Sequence, residues 1–183
     1  VKELGLPVKK NVRLILGTDE ECGSSDIAVY YKQEKEAPMT FSPDAEFPVI
    51  NVEKGRLPGH FAVSFEKSDA MPKLVKIDAG LKSNIFPGKA KAVVAGVDDT
   101  VLNETAAAVT KETEVTFTLE GCEEGILITA EGEGAHASTP EEGKNALTAL
   151  LMLITKLPLA SCPQMDAVKG LVKLFPHGDT RGN

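Results

Sequence analysis

Apolar residues along the chain switch between two periods, and the switch divides it. Asn11 to Leu16 reads as a short apolar run after a Lys-Lys-Asn turn and predicts a buried strand ending at Gly17. A helix is expected from Ser25 to about Lys35, with Ser24 or Ser25 as N-cap and Ile27, Ala28, Tyr30 and Tyr31 on its apolar face. Phe47 to Val52 predicts a second buried strand, entered through the turn-rich Ser42-Pro43-Asp44. Strand, helix and strand in this order make a βαβ-like unit, in which functional groups gather at the loops beyond the strand ends.

The character changes near Arg56, where Pro58-Gly59 opens a region of alternating strands, and a domain boundary is expected there. Strands are predicted at Phe61 to Glu66, Leu74 to Asp78, Ala90 to Ala95, Glu114 to Leu119 and Ile126 to Glu131. The last two are joined by the acidic turn Glu120 to Gly125. Asp98 to Lys111 carries Val101, Leu102, Ala106 and Val109 at helical spacing. A second helix is expected from Pro140 to about Leu157, capped by Thr139, with Glu141 and Glu142 at the positive end of its dipole. The tail from Leu171 onward reads as loop. This order implies an α+β domain, an antiparallel sheet with helices on one face in a ferredoxin-like arrangement, whose last strand would come from downstream.

Composition narrows the function. With 42% hydrophobic residues, 183 residues can bury a core. A formal net charge of −7 without a basic cluster argues against nucleic acid as a partner. The longest apolar run, Ala146 to Ile154, is well short of the roughly 20 residues that span a bilayer, so no membrane segment is expected. Cys22, Cys122 and Cys162 are odd in number and form no CxxC pair, which points to reduced thiols and a cytoplasmic setting. The start at Val1 suggests a trimmed N-terminus.

Three segments carry candidate chemistry. Asp19-Glu20-Glu21 places three acids directly after an apolar run, which suits either a solvated turn or a site for a cation. Asp44 lies in a proline-bounded loop and is either an Asx-turn acid or a second carboxylate ligand. Two such carboxylates suit a divalent ion without choosing zinc over manganese. His136 stands among small residues in Gly134-Ala135-His136-Ala137-Ser138-Thr139-Pro140, where it is either an exposed turn histidine or a group that meets a substrate.

Taken together, LGTDEE, SPDAEFPVI with its trailing EKG, Leu81 to Pro87, and GAHASTPEEGKNA resemble the zinc-dependent dipeptidase, carboxypeptidase and aminoacylase family, closest to its PepV-type dipeptidases. The resemblance implies Glu20 as general base, Glu21 and Asp44 as ligands of two zinc ions, His136 as oxyanion stabiliser and substrate contact, and Asn84 as a substrate-binding residue. It also implies that residues 1–56 belong to a catalytic domain and 57–183 to a lid domain, incomplete at its C-terminal end.

The family's upstream His-x-Asp, bridging aspartate and late histidine are not matched, since His60 and His177 lie in loop contexts. The expectation is an internal fragment, inactive alone and binding its metals incompletely, from an enzyme that cleaves short peptides. A related aminoacylase or carboxypeptidase, and a non-catalytic module pairing as a homodimer through the sheet edge, are the alternatives.

Overall fold

The computed structural model describes residues 3–5, 7, 9–44, 48–55 and 57–180. Two compact units divide the chain, residues 1–53 and 54–183. In the first unit the regular elements among the described residues are a 3-10 turn, Glu20–Cys22, and α1, Ser25–Gln33. Neither predicted strand of this unit forms over its described residues. Val12, Leu14 and Leu16 are about 80% exposed, as are Val49 and Val52, and the segments 11–16 and 48–52 are irregular. A strand needs a neighbour for its backbone groups, and none pairs with these segments among the described residues. Phe47, the expected start of the second strand, and Arg56, the expected boundary, lie outside the described residues.

The second unit contains the core. Strands β1 (Lys73–Ala79), β3 (Lys89–Ala95), β4 (Thr116–Cys122) and β5 (Gly125–Glu131) form an antiparallel sheet in the order β1-β3-β5-β4. Between β3 and β4 runs α2 (Asp99–Thr113), and α3 (Ala146–Lys156) and α4 (Pro163–Leu174) follow the sheet. The register aligns Ala92 with Ile128 and Leu119, and Ala90 with Ala130 and Phe117. Period-two alternation then turns this set to one face. Leu102, Ala106 and Val109 of α2 and Leu150, Leu153 and Ile154 of α3 join it in a single buried cluster. The α+β architecture expected from the pattern is therefore present.

Several local expectations change. Phe61 to Glu66 forms no strand, and Phe61 is 95% exposed. Glu114 becomes the left-handed C-cap of α2 (φ 57°), so β4 begins at Thr116 and runs on to Cys122, and the acidic turn shrinks to Glu123-Glu124. The tail is not all loop, because α4 extends to Leu174 with Met165 and Val168 buried.

The expected helix from Pro140 splits. Pro140–Glu142 is a single 3-10 turn, the chain is extended at Gly143, and α3 starts only after Asn145, whose side chain accepts the Thr148 N–H at 3.0 Å. Thr139 makes no such cap and instead donates its hydroxyl to Glu142 Oε2 at 3.2 Å. The split arises because Lys144 is taken up by a bridge to Glu133 (N···O 2.8 and 3.0 Å), which a continuous helix would break.

A cap test follows. Asn145→Ala should cost about 1 kcal/mol of stability in urea denaturation, the usual size of a lost N-cap, whereas Thr139→Ala should stay within about 0.5 kcal/mol. Equal losses would place the helix start at Thr139.

Candidate active site

In the first unit two aspartates tie the acidic turn to the start of α1. Asp26 Oδ2 accepts the Thr18 N–H at 2.6 Å, and Asp19 Oδ2 accepts the Ser25 N–H at 2.8 Å as well as the Ser25 hydroxyl. The expected serine takes the cap position, but another side chain makes the bond. Ser24 occupies the N-cap position in a left-handed conformation (φ 55°) without a side-chain cap bond, and Asp19 supplies the acceptor. The Asp19 carbonyl also accepts from Cys22 and Ser24, closing the turn, and Gly23 (φ 101°) provides the left-handed exit. Glu20 and Glu21 therefore sit on consecutive exposed positions of a pinned turn. Arg13 anchors the preceding segment to α1, donating to the Tyr30 hydroxyl at 2.9 Å and pairing with Glu34 at 3.2 Å.

Asp44 is exposed at the end of the irregular segment 41–44. Among the described residues no group of three or more His, Cys, Asp or Glu side chains is arranged to hold a metal ion. Glu21 and Asp44 have the oxygen chemistry a divalent ion takes.

In the second unit two candidate residues come together. A two-stranded ladder, β2 (Ile85–Phe86) with β6 (Ala135–His136), sets Ile85 opposite His136, and the Asn84 carbonyl accepts the Ala137 N–H at 2.9 Å. Neither short strand is visible in the hydrophobic pattern. The ladder exists because residues 133–144 form a loop closed at its base by the Glu133 and Lys144 bridge. Glycines permit the closure: a Cβ on Gly132 would collide with the Lys144 carbonyl, and one on Gly143 would lie 2.7 Å from the Phe86 ring and 2.8 Å from the Glu133 carbonyl. Lys144 reinforces it with ion pairs to Glu114 (2.9 Å) and Glu133 (3.2 Å). Hydrogen bonds to these two carboxylates raise the Lys144 pKa, and the Lys144 bond holds Glu114 below its ordinary range.

Two residues to which the motifs gave no role also act here. The Ser138 hydroxyl lies 2.7 Å from His136 Nδ1, and Lys54 Nζ donates to the Ser138 carbonyl. The signal for Ser138 was its place two residues after His136; Lys54, 84 positions away, lies in the trailing EKG segment, which gave it no role.

Beside the loop base lies a cavity of about 250 Å³, lined by Phe86, Pro140, Lys144, Asn145, Thr148 and His177 among others. His177 is half-buried, with Nδ1 2.9 Å from the Thr148 hydroxyl. Burial pushes its pKa below the ordinary 6.5, a shift opposed by a hydrogen bond to the Thr113 backbone.

No protein-family model matches the chain. Individual relatives do. It is 35% identical over 191 residues to "Putative dipeptidase YtjP" of Bacillus subtilis, with 100% of this chain and 39% of that protein aligned. Over 194 residues it is 32% identical to the Beta-Ala-Xaa dipeptidase of Lactobacillus delbrueckii subsp. lactis, with 100% of this chain and 41% of that protein aligned. Such matches set the chain among peptidase sequences. Within them it belongs to the dipeptidase family, and it spans about two fifths of the length of the curated relatives it matches.

The His177 environment generates a pH prediction. Its folded pKa lies below the unfolded value, so between the two the unfolded chain binds the extra proton. The contribution to stability is complete above pH 6.5 and is lost as pH falls through the folded pKa. Urea midpoints should drop between pH 7.5 and pH 5.5, and His177→Gln should lose part of that drop.

Proposed function

We propose that this chain is part of a metal-dependent dipeptidase that hydrolyses short peptides with a free N-terminus. Residues 1–56 would contribute acids to a catalytic domain, and 57–183 would form a ferredoxin-like lid over the substrate. The supporting observation is the β2 and β6 ladder, which brings the two substrate-directed candidates, Asn84 and His136, to adjacent positions. The relatives, one of them named a Beta-Ala-Xaa dipeptidase, give the same direction independently.

In this reading Glu20 is the general base that takes a proton from the attacking water. Glu21 and Asp44 would each offer one carboxylate to a pair of divalent ions, zinc or manganese, which would activate the attacking water. His136 donates a hydrogen bond to the oxygen that gains charge as the peptide carbonyl is attacked, and Asn84 orients the substrate. Closing a lid would exclude water and add the His136 donor only after substrate has bound.

In a protein of the relatives' full length carrying this segment, Glu20→Gln should lower kcat for dipeptide hydrolysis by about 10²- to 10⁴-fold, the usual contribution of a general base. Chelation should abolish the activity, and added zinc or manganese should restore it. Retained hydrolysis after both treatments would sink the reading.

A second reading, pairing of two copies through the sheet edge, draws support from the contrast between the two edges. Strand β1 carries Lys73 and Lys76 and an irregularity between Leu74 and Lys76, features that discourage edge pairing. Strand β4 keeps seven residues in unbroken register and holds neither lysine nor proline. Analytical ultracentrifugation of the chain should show a dimer that Thr118→Lys converts to monomer. A wild-type monomer at high concentration removes this reading.

A further inference from the structure

A neutral histidine ring carries one proton, and the bond made by one nitrogen decides where that proton sits. Two groups of Ser138 converge on His136 Nδ1: the backbone N–H at 3.2 Å and the hydroxyl at 2.7 Å. A backbone N–H can only donate. Nδ1 must therefore present its lone pair, and the hydroxyl facing the same lone pair donates as well.

We propose that Ser138 is a positioning residue, which holds Nδ1 of His136 as an acceptor so that the neutral ring keeps its proton on Nε2 and offers an N–H to a carbonyl oxygen. The inference deepens the dipeptidase reading and rests on it for the role of the Nε2 proton. The chemistry requires this tautomer. An oxygen gaining negative charge is stabilised by a donor, whereas the other tautomer would turn a lone pair toward it.

The surroundings fit the task. Nε2 has no hydrogen-bond partner among the described residues, which leaves it as the ring atom available to a ligand. The segment that carries the pair is fixed on both sides. Ala137 N–H donates to the Asn84 carbonyl at 2.9 Å, Thr139 N–H donates to the His136 carbonyl at 3.0 Å, and Lys54 Nζ donates to the Ser138 carbonyl. Ser138 is itself exposed, so truncating its side chain leaves the core untouched.

The test reads the tautomer directly. Two-bond ¹⁵N correlation spectra of the histidine-labelled 183-residue chain at a pH where the ring is neutral should show the Nε2–H form of His136. Ser138→Ala should shift the tautomer ratio toward Nδ1–H by about two- to tenfold, the effect of one ordinary hydrogen bond, and Ser138→Thr should restore it. An Nδ1–H ring in the wild type, or an unchanged ratio in Ser138→Ala, overturns the proposal. In full-length context, Ser138→Ala should lower kcat for a dipeptide by up to about tenfold with KM little changed. A shifted tautomer with unchanged kcat would keep the Ser138 role and overturn the oxyanion role of His136, so the two failures are separable.

Discussion

Burial of the apolar face of α3 against the sheet is the constraint on which the second unit depends. Leu150, Leu153 and Ile154 are fully buried and share one cluster with Ile128, Ala130 and Val94. Each large side chain so placed stabilises the fold by about 1.5–3 kcal/mol relative to exposure, which opposes any slip of α3 along its own axis. Its start is then fixed at Asn145, and with it Lys144 and the base of the loop. The position of His136 follows from apolar packing several residues away.

Local bonds convert that rigid base into an arrangement of donors and acceptors. The loop rises from the Glu133 and Lys144 bridge, pairs with Ile85 and Phe86, and returns through the Pro140 turn. Backbone hydrogen bonds set the chain path, and Ser138 then sets the ring. The first unit uses the same economy on a smaller scale, where Asp19 and Asp26 satisfy donors at the start of α1 and so hold the Glu20-Glu21 turn against the helix. In the first unit those bonds come from neighbours close in sequence, and in the second they also reach Asn84 and Lys54, far along the chain.

How much of this could be read from the residues differs by region, for physical reasons. The four strands of the sheet and α2 were legible, because their partners are within the chain and alternation or Asp98 capping marks them. Asn11 to Leu16 has the composition of a strand and nothing among the described residues to pair with, so hydrophobicity alone misjudged it. The α4 helix went unseen, although Pro163 at its first turn with Met165, Val168 and Val172 at helical spacing was signal enough, since Gly170 obscured the period. The candidate residues Glu20, Glu21, Asp44, Asn84 and His136 came from motif resemblance. Among these only Asn84 and His136 are brought to neighbouring positions, through the Ile85 to His136 register and the Ala137 N–H to Asn84 carbonyl bond, and the strands responsible are two residues long, below what any periodicity can register.

Closing the loop at Glu133 and Lys144 separates its length from the stability of the sheet. Once two ends are pinned, the entropy of closure grows only with the logarithm of the residues between them, so doubling the span costs about 0.6 kcal/mol. Insertions or deletions between 134 and 142 would therefore leave the core's free energy almost unchanged while moving the His136 ring. The loop can therefore vary by insertion or deletion as readily as by substitution.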